Sequence, residues 1–76
     1  MEEKERLLII KFSEQDPELK RLWEEHLDYE AKIKAFEKKL RLSPEEEIEK
    51  KRLQKLKLSG KDRMFEILKK YTVKEN

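Results

Sequence analysis

Apolar side chains in this 76-residue chain group into three stretches with different rhythms. The most regular one runs Leu19, Leu22, His26, Tyr29, Ile33, Phe36 and Leu40, at spacings of three and four. That is one face of an amphipathic helix through about three heptads. Trp23 and Leu27 widen the stripe, while Glu24, Glu25, Lys32, Lys38 and Lys39 occupy the opposite, solvated side. Asp16 supplies a side-chain cap for the first turn, and Pro17 takes the first helical position, where its missing N–H costs nothing. The pattern predicts a helix from about residue 17 to near Arg41, roughly 37 Å long at about 1.5 Å per residue.

A corner follows at Ser43-Pro44-Glu45-Glu46. Ser43 can accept from the N–H of Glu46 while the Glu46 carboxylate reaches back to the N–H of Ser43, the reciprocal pattern of a capping box. Pro44 disfavours helical angles at Ser43, so the preceding helix must stop. Glu45, Glu46 and Glu47 complement the positive end of the next helix. That helix is predicted over about residues 44–71, with Leu53, Leu56, Gly60, Met64, Ile67 and Tyr71 on one face. Leu58 and Phe65 lie nearly opposite, and Ile48 is off the main stripe, so this helix needs more than one apolar partner. Two helices joined by a short turn read as an antiparallel hairpin. Pivoting near residue 43 sets Gly60 against His26 and Leu53 against Ile33. Gly60 is then either a notch that admits the rings of Trp23 and Tyr29 or a weak point that kinks the helix.

The N-terminal run Leu7-Leu8-Ile9-Ile10-Lys11-Phe12 is apolar all round and fits a helix or a doubly buried strand. Glu2, Glu3 and Glu5 before Arg6 and Lys11 favour a short helix over roughly residues 3–12. An isolated helix of that length is marginal in water, so its apolar surface must be covered, by its own hairpin or by another subunit. Residues 72–76 are expected to fray.

Composition narrows the class. Half the residues are charged, 36% are apolar, and there is one Gly, two Pro and no Cys. This is the make-up of long helices and coiled coils, and it rules out disulfides and thiolate metal sites. Twenty basic groups against eighteen acidic ones leave a net charge of +2, a weak drive toward nucleic acid or anionic membrane. The four-residue apolar run at 7–10 is too short to span a bilayer, and the acidic start does not suit a secretory signal, so a cytoplasmic protein is expected.

Candidate chemistry is sparse. His26 is the single histidine; Glu30 lies one turn away, but no second histidine completes a ligand pair. Ser13, Ser43 and Ser59 have no foreseeable His or Asp partner. No catalytic residue, metal or cofactor is expected. The cluster Lys50, Lys51, Arg52, Lys55, Lys57, Lys61 and Arg63 could meet phosphates, but Glu45, Glu46, Glu47 and Glu49 stand one turn earlier and no aromatic side chains interleave. The expected surface for protein partners is Leu7, Leu8, Ile9, Ile10, Phe12, Leu58 and Phe65, with self-association included.

The chain resembles the YdcH-like family of small bacterial proteins. The resemblance rests on Leu22-Trp23-Glu24-Glu25-His26, on Ile33 and Glu37, on Glu47-Ile48, and on Leu56-Lys57-Leu58 with Lys61-Asp62. Here Ser59-Gly60 separates the last two pairs, which many members run together. The resemblance implies a helical hairpin without enzymatic activity and brings no functional residues with it. Taken together, the sequence predicts an all-α protein, a long antiparallel two-helix hairpin with a short N-terminal helix, acting as a non-catalytic structural or adaptor module. The alternative is a nucleic-acid-binding protein that uses the basic stretch of the second helix.

Overall fold

The computed structural model describes residues 2–72. Among them the chain forms three helices and no strand: α1 (Glu3–Ser13), α2 (Pro17–Glu37) and α3 (Pro44–Thr72). Each helix touches the other two, and the molecule is a rod about 49 Å long and 17–19 Å across. Of the segment expected to fray, Thr72 is helical; positions 73–76 lie outside the described residues.

The starts of α2 and α3 follow the local chemistry of the sequence. Asp16 is extended and its Oδ1 accepts from the N–H of Leu19 at 3.1 Å, with Pro17 in the first turn. At the corner, Ser43 N–H donates to Glu46 Oε1 at 2.9 Å and Glu46 N–H donates to Ser43 Oγ at 3.1 Å. Glu46 Oε2 also meets the Lys39 ammonium across the turn. Hydrogen bonding by Lys39, helped by the Ser43 N–H, holds the Glu46 carboxyl below its ordinary range.

The end of α2 differs from the sequence expectation. Its last helical residue is Glu37 rather than one near Arg41, and Leu40 is fully exposed instead of closing the stripe. Lys39 N–H already bonds back to Phe36, three residues earlier. The chain between Glu37 and Pro44 must cross to a helix packed some 8–10 Å away, and Ser43 must be extended before Pro44, so residues that could have been helical become the link.

The core lies at one end of the rod. Ile9 and Phe12 from α1, Leu19 and Trp23 from α2, and Met64, Ile67 and Leu68 from α3 form one buried cluster, flanked by Leu8, Leu22, Phe65 and Tyr71. Polar contacts close the same end. Tyr71 Oη donates to Asp16 Oδ2 at 2.7 Å, and the Tyr71 ring stacks on Phe12 with centroids 4.7 Å apart. Asp16 thus caps α2 and ties down the last turn of α3; the Tyr71 hydroxyl, more than the Leu19 N–H, lowers the Asp16 carboxyl below its ordinary value. Arg63 grips Glu18 with two bonds of 3.0 and 3.1 Å and adds a third to Glu66 at 3.1 Å. Arg6 lies over the Trp23 ring at 5.7 Å, a cation–π contact that pins α1 onto α2. We call this three-helix end the base.

Beyond the base, α2 and α3 continue as a pair, the arm. There the buried apolar residues are Ile33 and Leu53. Between the two regions the seam turns polar at His26, Lys57 and Gly60, a waist.

Candidate protein-interaction surface

The waist is open on two sides. One groove, of about 450 Å³, has His26, Glu30, Ile33 and Glu37 along its α2 edge and Gln54, Lys57, Leu58 and Lys61 along its α3 edge. The other, of about 280 Å³, is bordered by Leu22, Tyr29 and Gly60 among others, with His26 and Lys57 common to both. Side chains of α2 and α3 therefore meet poorly here: Lys57 and Gly60 stand where the α3 stripe would otherwise put an apolar residue.

His26 is 2% exposed. Its ring stacks on Trp23, with centroids 5.6 Å apart and planes 13° from parallel. Nε2 lies 2.7 Å from Glu30 Oε1, yet the carboxylate is off the line of the ring N–H, and neither ring nitrogen has a well-formed hydrogen bond. Burial lowers the His26 pKa from its ordinary value more than the nearby Glu30 carboxylate raises it, and the Lys57 ammonium adds to the lowering. A neutral imidazole results. Among the described residues no three His, Cys, Asp or Glu side chains converge as a metal site.

Gly60 is not a notch. A β-carbon added there meets no atom within 4 Å, and α3 runs through it without interruption. Gly60 does border the same groove as His26 and Tyr29, but its missing side chain leaves that groove open rather than admitting a ring.

The apolar residues expected to face partners divide. Ile9 and Phe12 are buried in the base, so they serve this chain's own core and cannot present an interface. Leu8 and Phe65 are half-buried against that core, Phe65 being carried there because α1 supplies a third wall that a two-helix picture lacks. Leu7 is 60% exposed and Leu58 59% exposed, with Ile10 also open to solvent. Leu7 and Ile10 share a shallow depression with Glu3 and Arg6.

In the basic stretch, Arg52 is paired with Glu49, its Nε 3.1 Å from the carboxylate, and Arg63 is bound to Glu18 and Glu66. The lysines behave differently from the sequence expectation. Among the described residues, Lys50, Lys51, Lys55, Lys57 and Lys61 form no ion pair. Glu46, expected one turn before Lys50, is instead committed to Ser43 and Lys39. Lys61 lies over the Phe65 ring at 5.6 Å.

The contacts that hold the base, Asp16–Tyr71 and Glu18–Arg63, were not anticipated from the sequence, nor was Leu68 as a core residue. The reflection about residue 43 carried the signal for the first, since it sets Asp16 beside the last turn of α3. Comparison of the chain with protein-family models, with curated proteins and with solved structures finds no match. No helix among the described residues is long and apolar enough to cross a membrane.

Proposed function

We propose that the chain is a non-catalytic structural or adaptor module that works through protein–protein contacts, self-association included. One observation carries the reading: Leu58 stands 59% exposed on the rim of an open inter-helical groove, and Leu7 and Ile10 on α1 are likewise open to solvent. Exposed leucines occur singly on any surface, but one beside an open groove that also carries Ile33 gains most from a partner. An antiparallel arrangement of α2 and α3 is part of the proposal, supported by the Lys39–Glu46 contact at the corner and by Glu18–Arg63 and Asp16–Tyr71 at the far end. Cytoplasmic residence and kinship with the YdcH-like proteins also belong to it, the latter supported by the Leu22–His26 run together with Ile33, Glu37, Glu47-Ile48, Leu56–Leu58 and Lys61-Asp62. The reading assigns the chain no catalytic residue, metal, cofactor or membrane role.

A second reading has its own support. Lys51 and Lys55 are exposed and outside any ion pair among the described residues, so they are available to phosphates rather than held by the neighbouring glutamates. The two readings separate in one set of assays. Partner recovery from the native cell that survives 0.5 M-scale salt (roughly, where screening is short-ranged) and fails on Leu58→Asp supports the adaptor, as does self-association that survives the same salt. A shift with RNA or DNA that falls steeply with salt, and is abolished by reversing Lys51, Arg52 and Lys55, would replace it.

A further inference from the structure

The smaller waist groove lies on the side of the rod away from α1. No α1 residue borders it, whereas α1 sits over Trp23 and Leu68 on the other side. Leu22 and Tyr29 of α2 and Leu56 of α3 supply its apolar surface, and Gly60 leaves it open. Phe36 continues the same side of α2, because Leu22, Tyr29 and Phe36 recur every seven residues, about two helical turns. All three are only half-buried, and Leu56 is 37% exposed. Along the outer margin of this face α2 carries Glu25 and Lys32, also seven apart. Each has an exposed contact within its own helix, Glu25 to Arg21 at 3.6 Å and Lys32 to Asp28 at 3.1 Å. Such pairs contribute little in water. Lys32 lies on the same side as Glu49 of α3, whose carboxyl is lowered by Arg52 and, to a lesser degree, by Lys32.

Read backwards from Tyr29, α2 gives the same apolar pattern with its charges exchanged. Leu22 and Phe36 stand seven residues to either side, while Glu25 stands four before and Lys32 three after. We infer that two copies of this chain pack through this face, α2 antiparallel to α2, about a two-fold axis that crosses the rod at Tyr29. The inference rests on the adaptor reading and names a face and an occupant for its self-association. Rotation about that axis sets Leu22 of each copy on Phe36 of the other and brings the two Tyr29 rings together. It also brings Glu25 of each copy to within about 2 Å, in height along the rod, of the other's Lys32. Leu56, which shares the groove with Tyr29, comes to lie near its own counterpart. The Phe36 ring arrives beside Leu22, where Gly60 leaves room, and α1 stays on the outside of both copies. A two-fold axis along the rod would lay α2 on the other copy's α3 instead. Glu25 would then stand over the uncharged Ser59, and Lys32 over the Glu49–Arg52 pair, whose charges are already matched. Charge thus selects the axis across the rod, and the result is a four-helix bundle. A foreign helix would have to reproduce the reversed row; a second copy contains it.

Sedimentation equilibrium over a range of concentrations tests this with Glu25→Lys, Lys32→Glu and the double exchange Glu25→Lys/Lys32→Glu, each checked for native helix content. The unmodified chain should dimerise. Each single reversal should weaken the dimer at least about tenfold, because it creates two like-charge contacts. The double exchange should dimerise as the unmodified chain does. So should an equimolar mixture of the two single variants, in which an all-basic row meets an all-acidic one. Leu56→Asp should dissociate the dimer, and Leu58→Asp, on the α1 side of the arm, should leave it intact. Single reversals that dimerise as tightly as the unmodified chain, or a double exchange or mixture that fails to recover, overturn the assignment of this face while leaving self-association standing. A dimer lost with Leu58→Asp and kept with Leu56→Asp does the same. An unmodified chain that stays monomeric throughout overturns the inference, and the adaptor reading then rests on partner recovery alone.

Discussion

The base and the arm are built from the same two long helices, yet they solve the burial problem differently. In the base a third helix adds Ile9 and Phe12, and seven buried apolar residues form one cluster. In the arm two helices face each other alone, the buried apolar residues are Ile33 and Leu53, and neither is as completely enclosed as Ile9, Leu19, Met64 or Ile67. Two packed helices have a seam but no interior, because each presents a stripe wider than the other can cover. The third helix is what converts a seam into a core. Where it is missing, the waist keeps a histidine without well-formed hydrogen bonds, an open glycine and an exposed leucine. The base thus has a buried core of its own, although Leu7 and Ile10 on α1 stay open to solvent, and the arm has only a seam to which a partner can add.

Truncations should expose the contrast most strongly. Met64→Ala, at a fully buried base position, is expected to cost about 2–5 kcal/mol in denaturant unfolding. Ile33→Ala should cost distinctly less, since solvent in the adjoining groove can fill part of the space. Equal losses would mean that the arm is packed as tightly as the base. Tyr71→Phe keeps the stacking on Phe12 but removes the bond to Asp16, and should lower the unfolding midpoint by less than Met64→Ala does. The same variant should return the Asp16 carboxyl toward its usual 3.8 in an NMR titration; an unmoved titration would show that Tyr71 is not its main partner.

At the waist the sign reverses. Gly60→Ala should stabilise by about 0.5–1 kcal/mol, because helix propensity improves and the added β-carbon meets nothing within 4 Å. A loss would show that the glycine is needed there after all. The gentlest effect is a slope in pH. The folded His26 pKa lies below its usual 6.5, so above that pH the ring is neutral folded and unfolded alike, and stability is flat. As pH falls below 6.5 the unfolded chain takes up the proton first, and stability declines until the folded pKa is reached. Thermal melts between neutral pH and pH values just below that point should show the decline, and His26→Leu should remove it. A second decline comes lower, as Asp16, Glu46 and Glu49, all held below their ordinary values, take up protons.

Local chemistry was legible in the sequence, and long-range placement largely was not. The Asp16-Pro17 start and the Ser43–Glu46 box depend on residues three apart, and both stand as the sequence reads them. Apolar spacing made α2 and α3 readable as helices, whereas the run at 7–12 fitted helix or strand and only the charges around it favoured the helix. What failed shares one cause. Whether Ile9 and Phe12 face the chain or a partner, and whether Phe65 and Leu68 are inside, depends on where α1 docks, and its all-round apolar surface gives no direction. Leu40 fits the stripe but loses its place because the connection needs chain to cross to α3. Gly60 looked purposeful since a glycine opposite a histidine invites a packing story, and only the surrounding space decides it. Glu18 and Arg63, 45 positions apart, look like two more surface charges until the helices are laid together.

The contrast between a completed base and an incomplete arm is tested most directly by native-state hydrogen exchange, read residue by residue at low and high protein concentration. In dilute solution the amides around Leu19–Trp23 and Met64–Leu68 should open only with global unfolding, and those around Ile33 and Leu53 through a cheaper, local opening. Raising the concentration should protect the arm and leave the base unchanged. Uniform protection along α2 and α3 at both concentrations would contradict the account.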